Sequence, residues 1–584
     1  MSDQPSIIAK DLTKVPVAPN LTDYEKTYKD FSWEAAAEEL IDLFPDGTLN
    51  IAYNCVDRHA AGELKDKTAL IYEDTDGRKE NYTFADLKQS TDKFANVLAA
   101  QQVAKGDRVF VFLPSIPERY VAFLGILKLG AIAGTMFAAF QEMALLDRLV
   151  DSEAKVIITN ADLYPRIANI QKDLPNLEKI IIVERGSETQ PEADDIVYYD
   201  QEMAKAAAAF EPAHMSKDDY SYMLYTSGTT GKPKGVVHSH YDVLQAIVTT
   251  KYVLDIQADD VYWCTADLGW VTGVVYGVLG IWGLGGTSVI YEGRFSPENW
   301  YEVLQDNKVT VWYSAPTAIR MLMGSPVNPK DYDLSSLRHL CSVGEPLNPE
   351  AIWWGLEALG LPFHDTWWQT ELGAISITNY PALDIKPGSM GKPLPGIEAA
   401  IIDDDGKSLP LGSHGNLALK TSTVSSMMKT IWGNQEKFGS YFKGEWYISG
   451  DAAFLDKDGY FWFIGRVDDV IMTAGERVGP FEVESALVAY PDVVEAGVIG
   501  KPDSVRGEII KAFVVVKPGV VADDFLKQEL QAHVKKHLAG HAYPREVEFI
   551  DKLPKTRSGK IMRRVLKAKE LGLPVGDTST LENF

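Results

Sequence analysis

Between about residues 68 and 360 the chain alternates short apolar, β-rich runs with longer amphipathic segments, and polar turns separate them. The runs 108–113, 155–159, 179–183 and 310–313 are rich in Val, Ile and aromatic residues, and the first precedes an apolar stretch at 121–129. Such alternation predicts α/β layers around largely parallel sheets, because parallel strands need a crossover long enough to hold a helix. After Pro393 the spacing shortens. Runs at 398–402, 416–420 and 460–464 lie beside Asp405-Gly406 and Asp458-Gly459, dipeptides of tight hairpins, and predict a small antiparallel subdomain.

From residue 468 the order is mixed: a helix near 481–490, strands at 493–499 and 509–516, and a helix at 523–538. The predicted fold is therefore α/β. A large N-terminal domain of layered sheets and helices, residues 1–467, contains the antiparallel β subdomain at about 393–467, and a small mobile α+β C-terminal domain covers 468–584. The junction Gly465-Arg466-Val467-Asp468-Asp469 is short and polar, as a hinge should be, with Asp468 as the pivot.

Residues 268–291 carry no charged side chain and are long enough to cross a bilayer. Glycines at 269, 273, 277, 280, 283, 285 and 286 interrupt them, and no Lys/Arg asymmetry flanks them, so a buried helix running into a core strand is expected. The alanines at 206–209 read as a piece of helix.

Charge and cysteine usage narrow the chemistry. The net charge of −25, from 57 basic and 82 acidic side chains, repels nucleic acid and anionic membranes, so an anionic ligand must be captured by local groups. Three unpaired-looking cysteines, Cys55, Cys264 and Cys341, and an N-terminus without a secretory pattern lead to the expectation of a cytoplasmic protein. The segments starting at Asp403 and Asp456 look like calcium loops until their twelfth positions, His414 and Val467, where Glu is needed, so hairpin turns are expected. His238 and His240 have no further metal ligands near them in sequence.

Local capture is offered by residues 225–235, Tyr-Thr-Ser-Gly-Thr-Thr-Gly-Lys-Pro-Lys-Gly, which follow the strand-like run 220–224. Gly228, Gly231 and Gly235 let the backbone approach a polyphosphate; Thr226, Ser227, Thr229 and Thr230 offer hydroxyls, and Lys232 and Lys234 add charge. Pro233 after the lysine sets the string apart from the G-x-x-x-x-G-K-[ST] loop of kinases and GTPases.

The string resembles the signature of the superfamily of acyl-CoA synthetases, peptide-synthetase adenylation domains and luciferases. Further motifs appear in the order which that family requires. Gly344-Glu345-Pro346 resembles the segment that lies against adenine, and Asp365-Thr366-Trp367-Trp368-Gln369-Thr370 the one that completes the nucleotide pocket. Glu371 stands where the family has a carboxylate near the nucleotide Mg2+, Asp451 resembles its ribose-binding aspartate, with Arg466 fifteen residues on, and Lys560 matches its C-terminal catalytic lysine. Arg477 matches a phosphate-contacting arginine, Ala474 and Gly475 the backbone that passes the pantetheine arm, and Lys535 a candidate for a coenzyme A phosphate. Val488, Tyr490 and Val493 resemble a minor cation site, although Tyr490 replaces the usual histidine; Leu372, Ala374 and Glu476 also depart from the common pattern.

The resemblance covers essentially the whole chain and is closest to bacterial acetate-activating members, in which a tryptophan closes the acyl pocket. Trp368 stands at that position, with Val271, Thr272 and Val343 as the remaining pocket residues. The resemblance implies ATP-dependent ligation of acetate or propionate to coenzyme A through an acyl-adenylate, with ATP, Mg2+ and coenzyme A bound and Lys560, Thr229 and Glu371 as catalytic residues. Two other readings stay open: a medium-chain or aryl acid-CoA ligase of the same superfamily, and a non-catalytic nucleotide-binding regulator.

Overall fold

The computed structural model describes residues 6–581 except 14, 16, 186–190, 228–232, 474–475, 504, 539–541, 557–559 and 576–580; for Ser227, Glu476 and Arg477 it describes the backbone alone. Among the described residues one sheet orders eight strands: Thr430–Ile431, Pro233–Ser239, Tyr220–Ser227, Ile132–Thr135, Arg108–Val111, Val156–Asn160, Lys179–Val183 and Ile196–Tyr198. It is parallel from Tyr220–Ser227 to Ile196–Tyr198. A second sheet has a parallel body formed by Thr68–Glu73, Thr287–Tyr291, Val261–Cys264, Val311–Ser314, His339–Val343 and Phe363–Trp367. Helices Phe84–Ala100, Pro117–Leu129 and Val243–Tyr252 share one apolar core with both sheets, through Leu87, Leu124 and Ile247 beside Val109, Leu70 and Tyr313. This is the layered α/β arrangement that the alternating pattern implies.

The antiparallel subdomain pairs Ala399–Ile402, Gly415–Lys420, Trp446–Leu455 and Phe461–Arg466. The Asp403 and Asp456 segments are tight turns, closed by Gly406 N–H to Asp403 O (3.1 Å) and Gly459 N–H to Asp456 O (3.2 Å). Beyond the turn at 467–469, strands Ile471–Thr473, Glu476–Val478, Val493–Asp503, Gly507–Val516 and Glu546–Phe549 with helices Pro480–Val488 and Asp524–His537 enclose a separate core of Val483, Leu487, Val498, Val514 and Leu530.

The charge-free stretch is helical from Val271 to Gly283 and then forms strand Thr287–Tyr291, most of it buried in the core. Among the described residues no helix is long and apolar enough to cross a membrane. The alanines at 206–209 are not helical, contrary to expectation. Helix Tyr199–Lys205 ends where Ala206 becomes extended (ψ 142°), and Asn96 Nδ2 donates to the carbonyls of Ala207 and Ala209 at 2.9 Å each. A distant amide thus overrides alanine's local helix preference.

Candidate active site

Strands Tyr220–Ser227 and Pro233–Ser239 run antiparallel, with Thr226 opposite Lys234 and Ser227 opposite Pro233. They bring the two rims of the phosphate-loop string together; Gly228, Thr229, Thr230, Gly231 and Lys232 lie outside the described residues. On one rim Thr226 Oγ1 is buried without a hydrogen-bond partner among the described residues, an unmatched hydroxyl that suits an anionic acceptor. On the other, Lys234 Nζ lies 2.8 Å from Glu371 Oε1 and is bonded to the Tyr441 hydroxyl, which itself donates to Glu371 Oε1 at 3.2 Å. Burial alone would raise the Glu371 carboxyl, but the charge and hydrogen bond of Lys234, with Arg466 adding to them, hold it below the usual carboxylate range. An ionised carboxylate is the hard oxygen donor that a magnesium ion takes, so this residue fits the expected ion. Lys234 is already paired, so a phosphate must compete with Glu371 for it.

The nucleotide segments sit at the carboxyl ends of parallel strands, the usual place for a ligand crevice in such sheets. Strand His339–Val343 leads into Gly344, whose φ of 96° favours glycine. Glu345 is not available to a base: its carboxylate takes Arg320 Nη2 at 2.7 Å and the Thr317 hydroxyl at 2.8 Å, so only its backbone and that of Pro346 can face one. Asp365 and Thr366 likewise hold the sheet together. The Thr366 hydroxyl donates to Ser342 O (2.8 Å) and lies 2.7 Å from the Tyr313 hydroxyl. Burial pushes the Asp365 carboxyl up to about 7, against hydrogen bonds from the Leu347 and Thr366 backbone. Thr370 O accepts from His238 Nε2 at 2.8 Å, and His238 Nδ1 meets Asp242 at 2.6 Å, which gives that histidine a structural place.

Trp367 and Gln369 turn to Asp451. Trp367 Nε1 and Gln369 Nε2 each donate to Asp451 Oδ2 at 3.0 Å, and Arg466 Nη1 donates to Oδ1 at 2.8 Å. Gln369 is itself fixed by the Tyr447 hydroxyl (2.7 Å) and by Ser449 O (3.0 Å). A carboxylate has about four acceptor directions. Oδ2 is therefore filled and Oδ1 retains room for one more donor, so a sugar diol can pair with both oxygens only by displacing one of these bonds.

Trp368 points the other way, into the main core, together with Val271 and Val343. Its indole meets Tyr276 edge-on, with centroids 5.2 Å apart, and Nε1 reaches the Tyr313 hydroxyl at 3.4 Å. The Tyr276 hydroxyl accepts from Ile375 N–H at 2.7 Å and pairs with Thr249 Oγ1 at 2.8 Å, so the ring that supports the indole is itself locked. Thr272 is buried at the start of the adjoining helix.

Across the junction, Asp468 is exposed in the turn that follows strand Phe461–Arg466. Lys560 closes a tight hairpin in which its N–H donates to Thr556 Oγ1 (3.1 Å) and its carbonyl accepts from Thr556 N–H (2.8 Å). Lys560 is exposed, yet desolvation by the protein around it pushes its ammonium below the ordinary lysine value; Arg466 and Arg563 add to that shift, and Asp451 and Asp469 oppose it. Asp451 and Arg466 are thus among the charges that act on the Lys560 ammonium across the junction.

The comparisons with known proteins show the family. The AMP-binding enzyme profile matches residues 56–432 and the AMP-binding enzyme C-terminal domain profile residues 482–560. This chain belongs to the AMP-binding enzyme family. The acetyl-coenzyme A synthetase of Bacillus subtilis is 55% identical over 567 residues, 97% of this chain and 98% of that protein. That of Methanothrix thermoacetophila is 43% identical over 92% of this chain and 86% of its own length. Among solved structures, an anthranilate CoA ligase in complex with anthranoyl-AMP matches with a TM-score of 0.83 and 32% identity, covering 90% of this chain and 98% of that one. A Brucella canis acyl-CoA synthetase matches with a TM-score of 0.74 and 35% identity, covering 94% and 99%.

Other expected residues of this AMP-binding enzyme are more dispersed. Ala474 and Gly475 lie outside the described residues, and Arg477 is placed by its backbone in strand Glu476–Val478. Lys535, in the last turn of helix Asp524–His537, has its Nζ 5.5 Å from the Tyr543 ring centroid. Val488 ends its helix, and Val493 N–H donates to Tyr490 O at 3.0 Å while the Tyr490 ring stands edge-on to His533. Among the described residues no group of three His, Cys, Asp or Glu side chains could hold a metal. Tyr441, Tyr276, Tyr313 and Arg320 were not singled out from the sequence. Each acts through a partner distant in the chain, and no local motif marks it.

Proposed function

We propose that this AMP-binding enzyme catalyses ATP-dependent ligation of acetate to coenzyme A through acetyl-adenylate, releasing AMP and pyrophosphate. The observation that supports this reading is one segment facing two ways: Trp367 and Gln369 donate to Asp451, which also pairs with Arg466, while Trp368 between them leans on Tyr276.

Thr226, Ser227, Gly228, Thr229, Thr230 and Gly231 receive the β- and γ-phosphates, with Lys234 turning from Glu371 to join them. Glu371 would hold a magnesium ion, which would supply charge neutralisation at the phosphates. Asp451 and Arg466 hold the ribose side, and the backbone of Gly344, Glu345 and Pro346 faces the base. Trp368 with Val271, Thr272 and Val343 leaves room for a methyl group, so the acid's carboxylate is aimed at the α-phosphorus. Lys560 donates to the negative charge that develops between the carboxylate and that phosphorus, a fixed electrostatic contribution of the kind that dominates such reactions. Coenzyme A then attacks the mixed anhydride; the 474–477 segment and Lys535 receive it after the C-terminal domain turns about Asp468, because the pyrophosphate side must be sealed first and the thiol admitted later.

An extra methylene in a hydrophobic pocket costs only about 1–3 kcal/mol, so propionate is a poorer but real substrate. The test is AMP formation in the presence of ATP, magnesium, coenzyme A and each of acetate, propionate, butyrate and octanoate. The rate should fall in that order; a maximum at butyrate or octanoate, or formation of ADP, would overturn the proposal.

A further inference from the structure

We infer that Asn348 and Ser485 form the latch that holds the C-terminal domain in the orientation presenting Lys560 to the Asp451–Arg466 corner, and that both are positioning residues for adenylate formation. The inference rests on the function proposed above.

Asn348 is buried, three residues after Glu345, and its amide has both ends engaged. Arg320 Nη1 donates to Asn348 Oδ1 at 3.1 Å, and Asn348 Nδ2 donates to Ser485 Oγ at 2.7 Å. The guanidinium fixes which way the amide points, since an arginine can only donate; the NH2 end must therefore face Ser485. Arg320 is pinned in turn by Glu345 and Thr317, at 2.7 and 2.8 Å. Ser485 thus receives a hydrogen bond from a rigid, buried support belonging to the segment expected to lie against the base.

On the other side, Ser485 lies on helix Pro480–Val488 next to Glu484. Glu484 is buried and grips Arg563 with both oxygens, Oε1 to Nε at 2.8 Å and Oε2 to Nη2 at 2.5 Å, while Oε1 also takes the Val498 N–H at 2.9 Å. A bidentate pair of this kind fixes direction as well as distance. Arg563 begins helix Arg563–Leu571, three residues after Lys560. A continuous path therefore runs from Glu345 through Arg320, Asn348, Ser485 and the Glu484–Arg563 pair to the hairpin of Lys560.

The contacts at the junction do not fix this orientation alone. Gly479 packs so closely on Ile464 that a Cβ would lie 2.0 Å from its carbonyl oxygen, and Phe481 meets Phe463 edge-on. These contacts hold the pivot. Asn348–Ser485 ties the same helix, one turn farther along, to a different part of the large domain, and a second tie away from the pivot resists rotation about it.

The test uses the full-length enzyme carrying Ser485→Ala, Asn348→Ala or both. It measures acetate-dependent exchange of pyrophosphate into ATP, and separately the conversion of supplied acetyl-adenylate and coenzyme A to thioester. Loss of one hydrogen bond should slow exchange by about five-fold in Ser485→Ala, with thioester formation unchanged or faster and thermal unfolding unchanged. Asn348→Ala should slow exchange further, because Arg320 also loses a partner, and adding Ser485→Ala to it should change nothing more. Wild-type exchange rates in Ser485→Ala, an equal fall in both half-reactions, or strictly additive effects in the double variant would overturn the latch. Absence of acetate-dependent exchange in the wild-type enzyme would instead refute the proposed function.

Discussion

The corner around Asp451 and the hairpin that carries Lys560 are built in opposite ways. Asp451 takes three donors from side chains that are themselves fixed, and Trp368 leans on a tyrosine whose hydroxyl has two partners. Among the described residues no side chain bonds to the Lys560 ammonium; its hairpin is fixed through two bonds to Thr556, one to the hydroxyl and one from the backbone N–H, and through Arg563. The rigid half suits recognition, where displacement of a few tenths of an ångström costs affinity. The carried half suits a group needed for one step and unwanted in the next.

The largest break in this contrast should come from Lys560→Ala, which removes a charge without disturbing the rigid corner. Acetate-dependent pyrophosphate exchange should fall about a thousand-fold, while thioester formation from supplied acetyl-adenylate stays within a few-fold. An equal loss in both steps would mean that Lys560 is not specific to one orientation. Asp451→Ala should come next. It leaves the donors of Trp367, Gln369 and Arg466 unmatched, so ATP binding measured by calorimetry should weaken about a hundred-fold and the thermal midpoint should drop.

Trp368→Gly sharpens the comparison on the acyl side. Removing the indole should lower acetate kcat/KM and raise that for butyrate, shifting their ratio by at least about ten-fold; an unchanged ratio would remove Trp368 from the pocket. The smallest effect is expected from Glu350→Gln, next to the Asn348 support. Glu350 Oε2 is buried without a partner among the described residues, and burial pushes the carboxyl up to about 7. A folded-state value above the unfolded one contributes stability that is complete below the unfolded value and lost as pH rises through the folded one. The wild-type thermal midpoint should therefore fall between pH 5 and 8 by about 1–2 °C more than that of Glu350→Gln.

Much of the fold is legible in the chain because local and global preferences agree. The run 179–183 becomes strand Lys179–Val183 residue for residue, since a continuous Ile/Val run flanked by polar residues suits a strand buried on both faces. The alanines at 206–209 read as helix by local preference but are not helical, because Asn96, about 110 residues away, captures the carbonyls of Ala207 and Ala209. In the site, the conjunction of Asp451, Arg466, Trp367 and Gln369 follows from family resemblance, and their hydrogen bonds explain why these residue types sit together. Glu345 and Thr366 could not be placed in the same way: a motif names a segment, but only packing tells which of its side chains face inward. Arg320 and Tyr441 had no signal at all, because each matters only through a partner brought near by the fold.

The most direct measurement is a single-turnover experiment with enzyme, ATP, magnesium and acetate, first without coenzyme A and then with it. The account predicts one equivalent of pyrophosphate and enzyme-held acetyl-adenylate before coenzyme A is added, followed by acetyl-CoA and AMP together. No pyrophosphate until coenzyme A is present, or ADP in place of AMP, would contradict it.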